Sequence, residues 1–198
     1  MEPCKKKYPE LDIGLEKETE YRGYNGRIYT LYELRNSANN YKSSDDVKYR
    51  KVTQTKHEKV YNCKEEKVPQ AILKEVYGLD SSFVEKWEKV TSYKDFEVLV
   101  SNLGRIKKDK EFVTQKDDSI KGYLKAWCDS VLVYKLVAEA FYGSTEGFHI
   151  HHINNNGFDC RPENLILLKQ QEHSKVHGWP IGKTEKMDDI EDPVESDK

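Results

Sequence analysis

Four neighbouring stretches decide how this chain is read: Gly147-Phe148-His149-Ile150-His151-His152-Ile153, Asn154-Asn155-Asn156-Gly157, Arg161-Pro162-Glu163-Asn164-Leu165-Ile166-Leu167-Leu168 and Glu172-His173-Ser174-Lys175-Val176-His177. Five of the six histidines of the chain fall here, and His57 is the sixth. The pattern predicts a strand through His151, an Asn-Gly turn, a short apolar strand at 165–168 and a helix from about Gln170. On that helix His173 and His177 are four apart and share a face. Imidazoles from the strand end and the helix can then converge on one divalent ion.

Phosphodiester hydrolysis would explain such an arrangement. It needs a deprotonated water in line with the leaving oxygen, and positive charge for the phosphorane and the departing 3′ oxygen. A histidine near its free pKa of about 6.5 takes a proton at neutral pH. His152 follows His151 but points the other way on an extended chain, which frees it from metal ligation and makes it the natural general base. The Asn164 amide can bridge backbone groups across the loop and hold His152. A purely structural metal site is the competing reading of His151, His173 and His177. His149 reads as a surface strand residue, Cys160 as packing, and Arg161 equally as a phosphate contact or an ordinary loop arginine.

Outward from this stretch the signals are plainer. Thr30-Leu31-Tyr32-Glu33 reads as a capping box with a helix through about Ala38. Lys42, Lys48, Arg50, Lys51, Lys56, Lys59, Lys64 and Lys67 read as a solvated basic run, or more sharply as phosphate contacts. Pro69 and Gly78 bracket a helix whose apolar face is Ile72, Leu73, Val76 and Tyr77. Phe96, Val98 and Val100 alternate as in a strand, Ser101-Asn102-Leu103-Gly104 is a turn, and an extended run resumes at Arg105. This predicts a hairpin presenting Arg105, Lys107 and Lys108, with Trp87 as its core anchor. Gly122–Trp127 reads as another strand. Ser130 caps a helix through Phe141 that ends at Gly143.

The bulk numbers exclude more than they select. The formal net charge is −2. Residues 181–198 carry −4 of it and read as a disordered acidic tail, which leaves +2 on residues 1–180. Nucleic-acid binding would therefore rest on local basic patches. The four cysteines, Cys4, Cys63, Cys128 and Cys160, form no C-x-x-C pair, which argues against a zinc ribbon or a disulfide framework. No apolar run is long enough for a membrane span, and no secretory signal is seen at Met1–Lys7, so an intracellular setting is the default.

The 147–177 segment resembles the HNH (His-Me finger) nucleases. By that resemblance His151 and His173 are metal ligands, His152 is the general base, Asn164 the loop clamp, and His177 a third ligand or phosphate contact. The spacing of Asn164, His173 and His177 is similar to that of bacterial toxin nucleases of the family. Trp87, Val90, Tyr93 and Ser101-Asn102-Leu103-Gly104-Arg105 resemble the NUMOD4-like hairpin motif that precedes the HNH centre in phage and intron-borne homing endonucleases. Leu136-Val137-Ala138-Glu139-Ala140-Phe141 resembles the helix placed before the catalytic pair. The resemblance covers residues 85–178, and residues 1–82 have no counterpart.

It implies an α+β fold: a ββα-metal core, a small β-hairpin before it and a mainly helical N-terminal module. The expected divisions are a flexible arm at 1–20, an accessory module at 21–82, the hairpin at 83–118, the nuclease domain at 119–180 and the tail. It also implies one divalent ion, Mg²⁺ first, with Mn²⁺, Zn²⁺ or Ni²⁺ as alternatives. The implied partner is double-stranded DNA, contacted by Arg105, Lys107, Lys108 and Arg161, with monomer and homodimer both open. The implied activity is sequence-selective DNA cleavage of homing type. A catalytically silent DNA-binding protein and a defence or restriction nuclease are the alternatives.

Overall fold

A computed structural model of the protein describes residues 20–39, 46–118, 122–127 and 131–177. The arm before Glu20, the Ser130 cap, Cys4, Cys128 and the tail at 181–198 lie outside the described residues. Among those described, helices and strands are mixed: β1 (Glu20–Arg22), β2 (Ile28–Thr30), α1 (Leu31–Asn39), α2 (Asp46–Tyr61), α3 (Gln70–Tyr77), β3 (Trp87–Lys89), β4 (Val98–Ser101), β5 (Ile106–Lys108), β6 (Glu111–Phe112), β7 (Lys116–Asp118), β8 (Tyr123–Lys125), α4 (Val133–Tyr142), β9 (His149–His152), β10 (Leu165–Leu168) and α5 (Gln170–His177). This is an α+β chain.

Local chemistry sets the element ends. Thr30 N–H donates to Glu33 Oε2 at 2.9 Å and Glu33 N–H to Thr30 Oγ1 at 3.2 Å, the reciprocal capping pair that starts α1. Gly78 takes a left-handed φ of 66° and its N–H donates to the Lys74 carbonyl, which ends α3. Pro69 stands immediately before α3, as its spacing from Gly78 predicts.

β3, β4, β5 and β6 form one antiparallel meander in sequence order, so the Ser101–Gly104 turn joins the two middle strands of a larger sheet. Val98, Val100 and Ile106 are fully buried and share a core with Val133, Leu136 and Val137 of α4. β9 and β10 pair antiparallel, with His152 opposite Leu165 and His151 opposite Ile166. β10 does not alternate apolar and polar, because both of its faces are covered. Leu165 belongs to the α4 core, whereas Ile166 and Leu168 pack with Tyr29, Leu31, Leu34 and Val176.

The stretch expected to be one helical module at 21–82 divides in two. It opens with the β1–β2 hairpin, and β2 and α1 share their core with β10 and α5. α2 and α3 instead bury Val60, Val68 and Leu73 against Leu103 of the β4–β5 turn. α2 was hidden in the basic run. Its buried His57, Val60 and Tyr61 have helical spacing, but the charged residues around them mask it.

Candidate metal centre

His149 and His151 lie on one face of β9, since side chains alternate along a strand. α5 follows β10 directly; Glu172 Oε2 accepts from Lys169 N–H at 2.6 Å and His173 N–H donates to the Lys169 carbonyl at 2.9 Å. This cap points one face of α5 at β9. The ring centroids of His151 and His173 are 5.6 Å apart, those of His151 and His177 5.0 Å, and those of His173 and His177 4.6 Å. The Nε2 atoms of His173 and His177 face each other at 3.1 Å. One nitrogen from each of the three residues lies within 4.8 Å of the others.

Three observations make this donor set fit a divalent cation. His151 is 2% exposed, and its Nε2 is buried with no hydrogen-bond partner. Burial, then His177 and His173, holds His151 well below the usual imidazole range. Burial, then His177 and His149, brings His173 to about 3. Imidazoles kept neutral at close range are what a metal requires. With all three donor nitrogens within 4.8 Å of one another, the set is close enough to share one ion.

His149, expected to be a surface strand residue, lies on β9, is partly buried and adjoins the cluster. Its ring stacks on His173 at 5.3 Å with 16° between planes. Its i, i+2 relation to His151 was the available signal.

His152 turns to the opposite side of β9. Its ring lies between Tyr134, edge-on at 5.1 Å, and Tyr123, tilted at 5.8 Å. It is 6% exposed and its Nε2 is buried without a partner. Burial lowers its pKa to about 4, against an opposing pull from Asp159. The sign of the pH dependence follows. The unfolded imidazole takes its proton near 6.5 and the folded one near 4, so between these values the unfolded state binds more protons. Stability contributed by neutral His152 is complete above 6.5 and is lost as pH falls toward 4. Roughly 3 kcal/mol is expected to go from this group alone. Urea midpoints of the metal-free chain at several pH values across this window should fall with acid; a flat profile would mean that His152 is solvated or charged in the fold.

The loop from Ile153 to Asn164 is held from within. Asn164 Oδ1 accepts from Asn154 N–H at 3.0 Å, and Asn164 Nδ2 donates to Asn154 Oδ1 at 2.9 Å and to the Asp159 carbonyl at 2.8 Å. Ile153 N–H donates to the Asn164 carbonyl at 2.8 Å. Gly157 packs so closely that a Cβ there would lie 2.1 Å from the Gly122 carbonyl oxygen and 2.7 Å from the Tyr123 ring. Asp159, not singled out in the sequence, is buried. Burial pushes its carboxyl up, but the Arg161 hydrogen bond and charge, helped by His57, prevail and hold it below the usual range.

The basic residues expected to grip DNA are placed differently. Arg105 is fully buried. Its Nε and Nη2 donate to Glu85 at 2.8 and 2.6 Å, Nη1 to the Cys63 and Glu65 carbonyls at 2.8 and 2.7 Å, and Nη2 to the Glu66 carbonyl at 3.1 Å. These bonds occupy all of its N–H groups, so Arg105 is an internal tie and not a phosphate contact. Arg161 is also committed inward. It pairs with both oxygens of Asp159 at 2.8 and 2.9 Å and lies over the Tyr77 ring at 4.0 Å. Lys107 bonds Glu66 at 3.1 Å and lies over Phe112, while Lys108 lies over Phe96 at 4.0 Å.

No helix among the described residues is long and apolar enough to cross a membrane. Neither the curated proteins nor the solved structures contain a match to the chain. Residues 131–175, which run from the approach to α4 into α5 and include His151, His152, Asn164 and His173, match the family model described as HNH endonuclease.

Proposed function

We propose that the protein is a metal-dependent endonuclease that hydrolyses DNA phosphodiester bonds at selected sequences, in the manner of homing enzymes. The observation that carries this is the convergence of His151, His173 and His177 on one side of β9, with His152 on the other side and Asn164 clamping the loop between. His151, His173 and His177 would hold a divalent ion, which when bound would supply positive charge at the phosphoryl group and the departing oxygen. His152, neutral at pH 7, serves as the proton acceptor for the attacking water. The new bond joins water oxygen to phosphorus, the P–O3′ bond breaks, and the departing 3′ oxygen takes a proton from solvent water, leaving a 5′-phosphate and a 3′-hydroxyl. Asn164 holds the backbone that carries His152. Sequence selection rests on the resemblance of the Ser101–Arg105 turn to the homing motif.

Contact with the duplex is assigned to Lys107 and Lys108. Glu66, the partner of Lys107, has an 81% exposed side chain while Lys107 itself is 15% exposed over the Trp87 and Phe112 rings, so a phosphate reaches this cation by taking the place of the Glu66 carboxylate. Three imidazoles without a carboxylate among them move the preferred ion from Mg²⁺ toward Mn²⁺, Zn²⁺ or Ni²⁺. A second reading, a DNA-binding protein that no longer cuts, is favoured by the burial of His152 Nε2 behind two tyrosines.

Mapping of new 5′ ends on total DNA separates these readings. The full chain is incubated with Mn²⁺ or Mg²⁺, beside EDTA and a His151→Ala control. Recurrent ends that vanish in both controls are expected. Scattered ends with the same dependence would keep the chemistry and remove the homing assignment. Tight DNA binding without new ends would favour the non-cutting reading. Calorimetry with Ni²⁺ should show one site, weakened roughly 100-fold or more by removal of any of the three ligands.

A further inference from the structure

The function proposed above leaves α2 and α3 without a role, yet both helices reach the loop that follows His152. His57 is buried on α2 and meets the Tyr77 ring of α3 edge-on at 5.2 Å. Its Nε2 lies 3.4 Å from Asn156 Nδ2, which donates when the ring carries its proton on Nδ1. The Tyr77 ring supports the Arg161 guanidinium from 4.0 Å. Arg161 holds Asp159, Asp159 Oδ2 accepts from Asn154 Nδ2 at 3.0 Å, and Asn154 is locked to Asn164. A continuous set of contacts thus joins two helices to a residue two positions after His152.

The helices are themselves fixed. Arg105 binds three carbonyls of the segment between them. Asn62, at the end of α2, exchanges hydrogen bonds with the Gln115 backbone at 2.7 and 3.1 Å. Gln115 Nε2 donates to the Gly104 carbonyl at 2.6 Å, and Gly104 packs on Cys160 of the same loop. The loop is therefore clamped by Asn164 inside and by α2 and α3 outside. The half-buried Arg161 guanidinium has its charge offset by the Asp159 carboxylate and by the face of the Tyr77 ring.

We infer that α2 and α3 brace the loop beside His152, with His57 and Tyr77 as positioning residues for that imidazole; the catalytic part of this role rests on the phosphodiester reading above. The test uses full-length Tyr77→Leu, Tyr77→Phe and His57→Ala. Amide hydrogen exchange is read in peptides covering 153–161 and, as a reference whose core holds no residue of α2 or α3, 28–34. Ni²⁺ affinity and cleavage kinetics are read in parallel. Tyr77→Phe keeps the ring face and should match the wild type. Tyr77→Leu and His57→Ala should each raise exchange in 153–161 about tenfold, the weight of one such contact, with 28–34 unchanged and Ni²⁺ affinity within about twofold. Where cleavage is seen, kcat should fall by about the same factor, with KM little changed. Unchanged exchange in 153–161, or an equal rise in both segments, would overturn the brace. A wild type that does not cut would overturn the nuclease reading alone, because exchange and metal affinity still judge the brace.

Discussion

His152→Ala is expected to lower the cleavage rate by roughly 10²–10⁴-fold, the usual range for a general base, while Ni²⁺ affinity stays close to that of the wild type. The two effects separate because His152 lies across β9 from the histidine cluster, between Tyr123 and Tyr134. A metal ligand variant such as His151→Ala should lose binding and cleavage together. Truncation of His152 also removes a buried nitrogen that has no partner, which offsets part of the cost of the cavity it leaves. Single-turnover cleavage and calorimetry on the same preparations decide the matter. Loss of Ni²⁺ binding in His152→Ala would show that this residue belongs to the metal centre. Unaltered cleavage would remove it from the chemistry.

Arg105→Ala is expected to destabilise the fold by about 3–5 kcal/mol, the cost of breaking a buried ion pair from one side. Glu85, with a side chain 12% exposed, would lose its counter-charge. The carbonyls of Cys63, Glu65 and Glu66 would lose their donor, and the space beside Trp87 and Phe112 would empty. Arg105→Lys should recover only part of this, because three N–H groups on one nitrogen cannot serve the five acceptor atoms that the guanidinium reaches. Lys107→Ala should cost less than Arg105→Ala, because Lys107 loses one pair with an exposed carboxylate and its packing over Trp87 and Phe112 but leaves no buried carboxylate or carbonyl unpaired. Urea denaturation of the three variants provides the comparison. A loss below about 1 kcal/mol for Arg105→Ala would show that the cation contributes little to stability.

Periodic and capped elements were legible in the sequence: the capping box at Thr30, the Pro69–Gly78 helix, the alternation at Val98 and Val100, and the helix before Gly143. The grouping of His151, His173 and His177 was legible too, because strand alternation and i, i+4 spacing are local rules. What escaped was whatever depends on distant neighbours. Arg105 reads as a surface cation until Glu85 and the carbonyls at 63–66 are brought to it. Asp159 draws no reading, and Arg161 reads equally as a phosphate contact or a loop arginine, until Tyr77 arrives from α3. α2 went unseen because its buried residues among those described, His57, Val60 and Tyr61, are set among charges.

The two-faced burial of β10 bears on the order in which the molecule can be completed during synthesis. Tyr29, Leu31 and Leu34 leave the ribosome among the first described residues, but the cluster they join also needs Ile166, Leu168 and Val176. That cluster cannot close until almost all of the described chain has emerged. The same late segment carries His173 and His177. A nascent chain that stops short of α5 therefore holds an open apolar face and an incomplete set of imidazoles. Assembly of the histidine cluster and burial of the earliest-made core residues are parts of one late event in the birth of the protein.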